Sequence, residues 1–171
     1  MQETDQELEE QYCRWVEDYQ GLIFRVVHAS ATLPEDKNDL FQEILLQLWR
    51  SMPSFEGRCK ETTWMYRVAL NTARAWKRSE KRRRERHEEI ISFSALQEQA
   101  ANEPNPLLET LYEAIRQMPA AEASLLLLHL DGLSYQDIAE VIGVSEGCVG
   151  VRLSRARKQL IAKMKGELNG I

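Results

Sequence analysis

Cysteine and histidine are scarce in this chain, three of each among 171 residues, and neither is arranged for chemistry. Cys13, Cys59 and Cys148 are odd in number, widely separated and without histidines at ligand spacing, which argues against a disulfide framework or a zinc site. They read as buried or incidental thiols. Cys148 stands beside an expected helix start, but with no resolving partner it is given no redox role. No metal and no cofactor is expected. His28, His87 and His129 lie apart, and neither a glycine-rich phosphate loop nor a nucleophile arrangement is present, so nothing supports an enzyme. Long apolar runs are missing as well. The longest, Leu125 to Leu128, is far too short for a membrane span, and the acidic N-terminus lacks the positive start of a signal peptide. A cytoplasmic protein is expected. Strand alternation bounded by turn residues is absent too, which leaves an all-α fold.

What is abundant is charge, and its signs are segregated. The net charge is −5. Residues 1 to 20 hold Glu3, Asp5, Glu7, Glu9, Glu10, Glu17 and Asp18 against Arg14 alone, so that end repels phosphate. A first basic block follows at Arg74, Lys77, Arg78, Lys81, Arg82, Arg83, Arg84 and Arg86. A second lies at Arg152, Arg155, Arg157, Lys158, Lys163 and Lys165. Either block alone is as well explained by solvated helix surface as by a phosphate-facing patch.

Two small helical domains fit this length. Residues 87 to 106 are polar, weakly periodic and end in the breakers Pro104 and Pro106, as a flexible linker would, dividing the chain into domains at 8 to 86 and 107 to 171. In the first, Leu40, Phe41, Ile44, Leu45, Leu48 and Trp49 share one side of a helix, while Asp39, Gln42, Glu43, Gln47 and Arg50 share the other. Leu46 projects among the polar residues, where a lone leucine needs no explanation yet suits a partner protein. A second helix is expected from a cap at Thr62 or Thr63 to Lys77, with Arg67, Asn71 and Arg74 as its polar wedge. Between them Ser51 to Lys60 contains Pro53 and Gly57 and reads as a loop carrying Phe55, Arg58 and Lys60. Single-stranded DNA is held by basic tracks with aromatic platforms, a role open to Trp64 beside Arg67, Asn71 and Arg74; Trp64 and Trp76 fit a core equally well.

In the second domain Asn105 before Pro106 starts a helix, Met118 before Pro119 ends it, and Asp131 with Gly132 stops the next. Ser134 caps a third helix to Ile142, Gly143 supplies its left-handed stop, and Ser145 caps a final helix to about Lys165. That last helix buries Val149, Leu153, Ala156, Leu160 and Met164 and leaves Arg152, Arg155, Arg157 and Lys158 outward. Tyr135 to Ser154 has the layout of a helix-turn-helix: Ala139 is small where helices touch, Gly143 turns the chain, and Ile138, Ile142, Val144 and Val149 set the angle. The recognition helix would begin near Glu146 and enter the major groove by its first turns. A structural three-helix core has the same layout.

Asp39 to Glu43, Leu48, Trp49, Arg50, Phe55 and Thr63 to Asn71 resemble region 2 of the extracytoplasmic-function sigma factors of the sigma-70 family. Gly132 to Gly143, Val144, Ser145, Gly147 and Arg152 to Arg157 resemble region 4 of that family. The resemblance implies a subunit that binds core RNA polymerase and directs it to minus-10 and minus-35 promoter elements while helping to melt the DNA. It implies that Asp39, Leu40, Gln42, Glu43, Leu46, Gln47 and Arg50 meet the clamp helices of the largest polymerase subunit, the flap of the second-largest subunit being a further contact. Phe55, Arg58, Lys60, Trp64, Arg67, Asn71 and Arg74 would serve the minus-10 element, the loop from Phe55 to Thr62 receiving a flipped base, since a base edge is unreadable in a closed stack. Ser145, Glu146, Gly147, Val149, Gly150, Arg152, Arg155 and Arg157 would serve the minus-35 duplex. Anti-sigma inhibitors are common in the family and usually cover these surfaces. Cys148, Gly150 and Val151 depart from the family's usual recognition helix. A stand-alone helix-turn-helix regulator is the alternative.

Overall fold

The computed structural model describes residues 2 to 87 and 105 to 168. Among these residues there is no strand. The helices are α1 (Gln2–His28), α2 (Pro34–Ser51), α3 (Glu61–His87), α4 (Pro106–Arg116), α5 (Ala120–Leu130), α6 (Tyr135–Ile142) and α7 (Glu146–Leu168), with a 3₁₀ turn at Met52–Ser54. None is long and apolar enough to cross a membrane. Most of the segment expected to be a linker lies outside the described residues.

Local chemistry accounts for most boundaries. Proline opens α2 and α4, where a missing N–H costs nothing, and acidic residues sit in the first turn of each with an arginine in the last, matching the helix dipole. The Asn105 side chain accepts from Leu107 N, Ser134 accepts from Asp137 N, and Ser145 accepts from Cys148 N. Gly143 closes α6 at φ 77°, the left-handed conformation a side chain resists. Two expectations for α3 are corrected. It starts at Glu61, which leaves Thr63 fully buried in the first turn, and it runs to His87, ten residues past the expected Lys77.

α1, α2 and α3 pack on one another around Trp15, Ile23, Val26, Leu40, Ile44, Leu48, Met65 and Ala69. α7 lies against α4, α5 and α6 around Ile115, Ile138, Val149, Leu153 and Ala156. Leu125, Leu126, Leu127 and Leu128 are all buried, so α5 is surrounded by apolar neighbours rather than amphipathic. The two groups touch directly, α3 packing against α6.

Candidate nucleic-acid interface

The polar wedge of α3 and the loop before it form one strip. Gly57 turns the loop at φ 67°, and Phe55 docks edge-on to Trp15 at 5.0 Å while Trp64 leans on both rings at 5.5 and 5.4 Å. Trp15 is buried whereas Phe55 and Trp64 are half-buried, so the loop is anchored by one core aromatic and keeps two partly open. Trp64 thus packs on the core and keeps part of its ring open. Arg58 is exposed and paired with Glu56. Lys60, Arg67, Asn71 and Arg74 follow along the strip, Arg74 half-buried and the others exposed.

Three of these cations are engaged by the C-terminal helices. Lys60 Nζ meets Asp137 Oδ1 at 2.8 Å. Arg67 donates from Nε and Nη2 to the Glu140 carbonyl at 3.1 and 2.7 Å, and Arg74 Nη2 donates to Ser124 Oγ at 3.2 Å. Farther along, Lys77 donates to the Arg116 carbonyl at 3.4 Å, and Arg116 Nη1 donates to the His28 carbonyl at 2.7 Å. At the centre the buried carboxylate of Asp131 pairs with Arg25 and accepts from the Tyr66 hydroxyl. Burial and that carboxylate push the Tyr66 pKa up, which keeps the phenol protonated as a donor. Lys60 and the Ser134 hydroxyl hold the Asp137 carboxyl below its usual range.

Sequence reasoning did not single out Arg25, Tyr66, Arg116, Ser124 or Asp137 for a site, and it read Asp131 only as a helix stop. Their partners lie 50 to 106 positions away, beyond the reach of any periodic pattern.

On α2, Asp39, Gln42, Leu46 and Arg50 are exposed, with Glu43 and Gln47 half-buried and hydrogen-bonded to each other at 2.9 Å. Leu46 is 40 % exposed and Trp49 is 38 % exposed, its ring met edge-on by Tyr12 at 5.2 Å. Trp49 therefore borders the polar face rather than the core side expected of it. Leu40 is also corrected: it has no exposed surface, so it supports this face from beneath and is not part of it.

On α7, Ser145, Glu146, Gly147 and Arg155 are exposed. Val149 is fully buried and belongs to the core, which removes it from the expected contact set. Gly150 backs onto the Tyr135 ring, where an added Cβ would lie 3.6 Å away. Arg152 approaches Glu122 at 3.8 Å and Arg157 contacts His129, so both reach back toward α5. Burial and Arg157 lower the His129 pKa, leaving a neutral ring to accept from the guanidinium.

Two family descriptions match the chain: sigma-70 region 2 over residues 15–83 and sigma-70 region 4 over residues 108–160. Among curated proteins, the ECF RNA polymerase sigma-E factor of Haemophilus influenzae is 31% identical over 158 residues, spanning 85% of this chain and 80% of that protein. The RNA polymerase sigma-H factor of Pseudomonas aeruginosa is 32% identical over 152 residues, spanning 82% and 77%. In solved structures, the fold resembles the sigma factor RpoE bound to the anti-sigma factor NepR from Bartonella quintana, with TM-score 0.67, 21% identity and coverage of 91% of this chain and 98% of that one. It equally resembles CnrH in complex with the cytosolic domain of CnrY, with TM-score 0.67 and 16% identity over 92% of this chain and 90% of that one.

Proposed function

Because the chain belongs to the extracytoplasmic-function sigma factors of the sigma-70 family, we propose that it works through three separate faces, one for core RNA polymerase and two for promoter DNA. Region 2 comprises α1 to α3, and region 4 comprises α4 to α7. The observation that carries the reading is the separation of chemistry on region 2. An apolar and acidic patch at Asp39, Gln42, Glu43, Leu46, Gln47 and Arg50 lies on α2, and a cationic strip with two half-open aromatics lies on α3 and its preceding loop.

The patch suits the clamp helices of the polymerase, because an exposed leucine among polar groups gains most by being covered. The strip suits single-stranded DNA. Lys60, Arg67 and Arg74 offer charge to the backbone, Phe55 and Trp64 offer rings to unstacked bases, and Asn71 offers an amide able to read a base edge. Region 4 presents the first turns of α7 to duplex DNA, where Ser145, Glu146, Gly147 and Gly150 bring backbone close and Arg152, Arg155 and Arg157 supply charge. The flap of the polymerase and an anti-sigma protein are further proposed partners, and the work takes place in the cytoplasm. The chain needs no reaction of its own, since opening DNA is driven by binding.

The test is binding to core polymerase without DNA, followed by promoter opening. Saturable binding in the nanomolar range is expected. Glu43→Lys with Leu46→Glu should weaken polymerase binding more than opening measured at saturating polymerase. Arg67→Ala with Asn71→Ala should do the reverse. Tight duplex binding without any polymerase affinity would overturn the reading in favour of a stand-alone regulator.

A further inference from the structure

We propose that Val151 sets the base preference of region 4, by packing its methyl groups against the C5 methyl of a thymine in the major groove of the minus-35 duplex. This rests on the assignment of α7 to that groove.

Core packing fixes which side of α7 leads. Val149, Leu153, Ala156 and Leu160 are buried, and helical spacing puts Val151 opposite that stripe, with Gly147, Ser154, Arg155 and Lys158 beside it. All five of these are exposed. The two arginines that flank them are drawn back toward α5, Arg152 approaching Glu122 at 3.8 Å and Arg157 contacting His129. The leading side is therefore narrow, and Val151 stands at its centre in the second turn of the helix. That is the part of a recognition helix whose side chains reach base edges.

Around Val151 the helix is bare. An added Cβ at Gly147 would meet nothing within 4 Å, and Gly150 presents only backbone beside the Tyr135 ring. Val151 is consequently the first side chain along the middle of the leading side after the Ser145 cap. It is 57 % exposed, and among the described residues 146–160 no other large apolar side chain is exposed. A lone exposed valine is ordinary on a protein surface, and what gives this one meaning is its place. Protein partners are met by contiguous apolar patches, whereas the neighbours on this side are two glycines, a serine and two cations. Such a surface suits DNA.

Valine has no hydrogen bond to offer the polar edges of bases. In the major groove the apolar group on a base edge is the thymine methyl, which the other three bases lack. Contact between them removes both from water, while any other base leaves a polar edge against the valine with no bond to make. Arg155 follows one turn later, about 6 Å along the helix axis, so the thymine lies within about two base pairs of the base that Arg155 reaches. This stretch is also where the chain departs from its family, at Cys148, Gly150 and Val151, so the preference belongs to this protein in particular.

The experiment uses the full chain with core polymerase. Binding sites are selected from a pool of random duplexes, and each thymine of the enriched minus-35 element is then replaced by uracil, which pairs alike and lacks only the C5 methyl. One replacement is expected to weaken binding roughly fourfold, the worth of about one buried methyl group, while the others change it little. Val151→Ser should bind the thymine duplex roughly fourfold less tightly and no longer distinguish it from the uracil duplex, whereas Val151→Ile should keep the distinction. The side chain is exposed, so both variants leave the core of region 4 intact. Indifference to uracil at every position, or a uracil effect that survives in Val151→Ser, overturns the proposal. Enrichment of a minus-10 sequence with no minus-35 sequence overturns the assignment of α7 to DNA, and the role of Val151 with it.

Discussion

Single residues decide where the helix-turn-helix bends. Gly143 sits at φ 77° with open space around its missing Cβ, so a side chain there meets no clash and the cost is purely conformational. Gly143→Ala should therefore destabilise region 4 by about 1–2 kcal/mol, measured by chemical denaturation, without altering the packing of Ile138 or Val149. Gly150 behaves differently. Its backbone is helical, and a Cβ would only touch the Tyr135 ring, so alanine there is tolerated by the fold. Any loss of duplex binding by that variant would be read as an effect on DNA approach. Leu40 and Val149 show the limit of motif matching at this scale, since a matched residue can serve a surface by lying under it.

At the scale of the element, α7 carries region 4 because one of its faces is buried along the first four turns while the other stays in solvent. Val149, Leu153 and Ala156 are fully buried and Leu160 is nearly so. Leu153→Ala should cost about 2–5 kcal/mol, detected as a lowered thermal midpoint, since the cavity would open between α7 and its buried neighbours. α3 has a similar division and one added feature, a continuation to His87 that the composition hid. The stretch after Lys77 is almost wholly polar, so it has no apolar period from which a helix could be read, although arginine and lysine are good helix formers.

At the scale of the whole molecule, two histidines tie stability to pH. Burial, reinforced by Lys37 and Arg116 against the opposing Glu109, holds His28 below the usual histidine range. Burial and Arg157 do the same to His129. Both are thus neutral in the folded chain where the unfolded chain would take up protons. Their stabilising contribution is complete above the ordinary histidine value of about 6.5 and declines as pH falls through it toward the lower folded values. The thermal midpoint should drop between about pH 7.5 and about pH 5.5, a slope that His28→Gln with His129→Gln should flatten. The lowered carboxyls Asp137 and Glu113 act only at more acid pH, where their protonation begins. Arg67 donates to the Glu140 carbonyl and also belongs to the strip proposed for single-stranded DNA, so its replacement touches both the seam and that strip.

The sequence by itself determined the all-helical fold, the placement of the four C-terminal helices, the bend at Gly143 and the residues that carry the family's two regions. Each of these depends on chemistry within a few positions: a proline at a first turn, a side-chain cap, a glycine able to take positive φ, an apolar stripe at helical spacing. Only the tertiary structure decided that Lys60, Arg67, Arg74 and Lys77 face region 4, that Asp131 joins Arg25 to Tyr66, and that Trp64 leans on Trp15. Those contacts pair polar groups across the domain boundary or rings from different helices. A charged side chain on a solvated helix face looks the same in sequence whether its partner is water, a phosphate or a carbonyl 73 positions away.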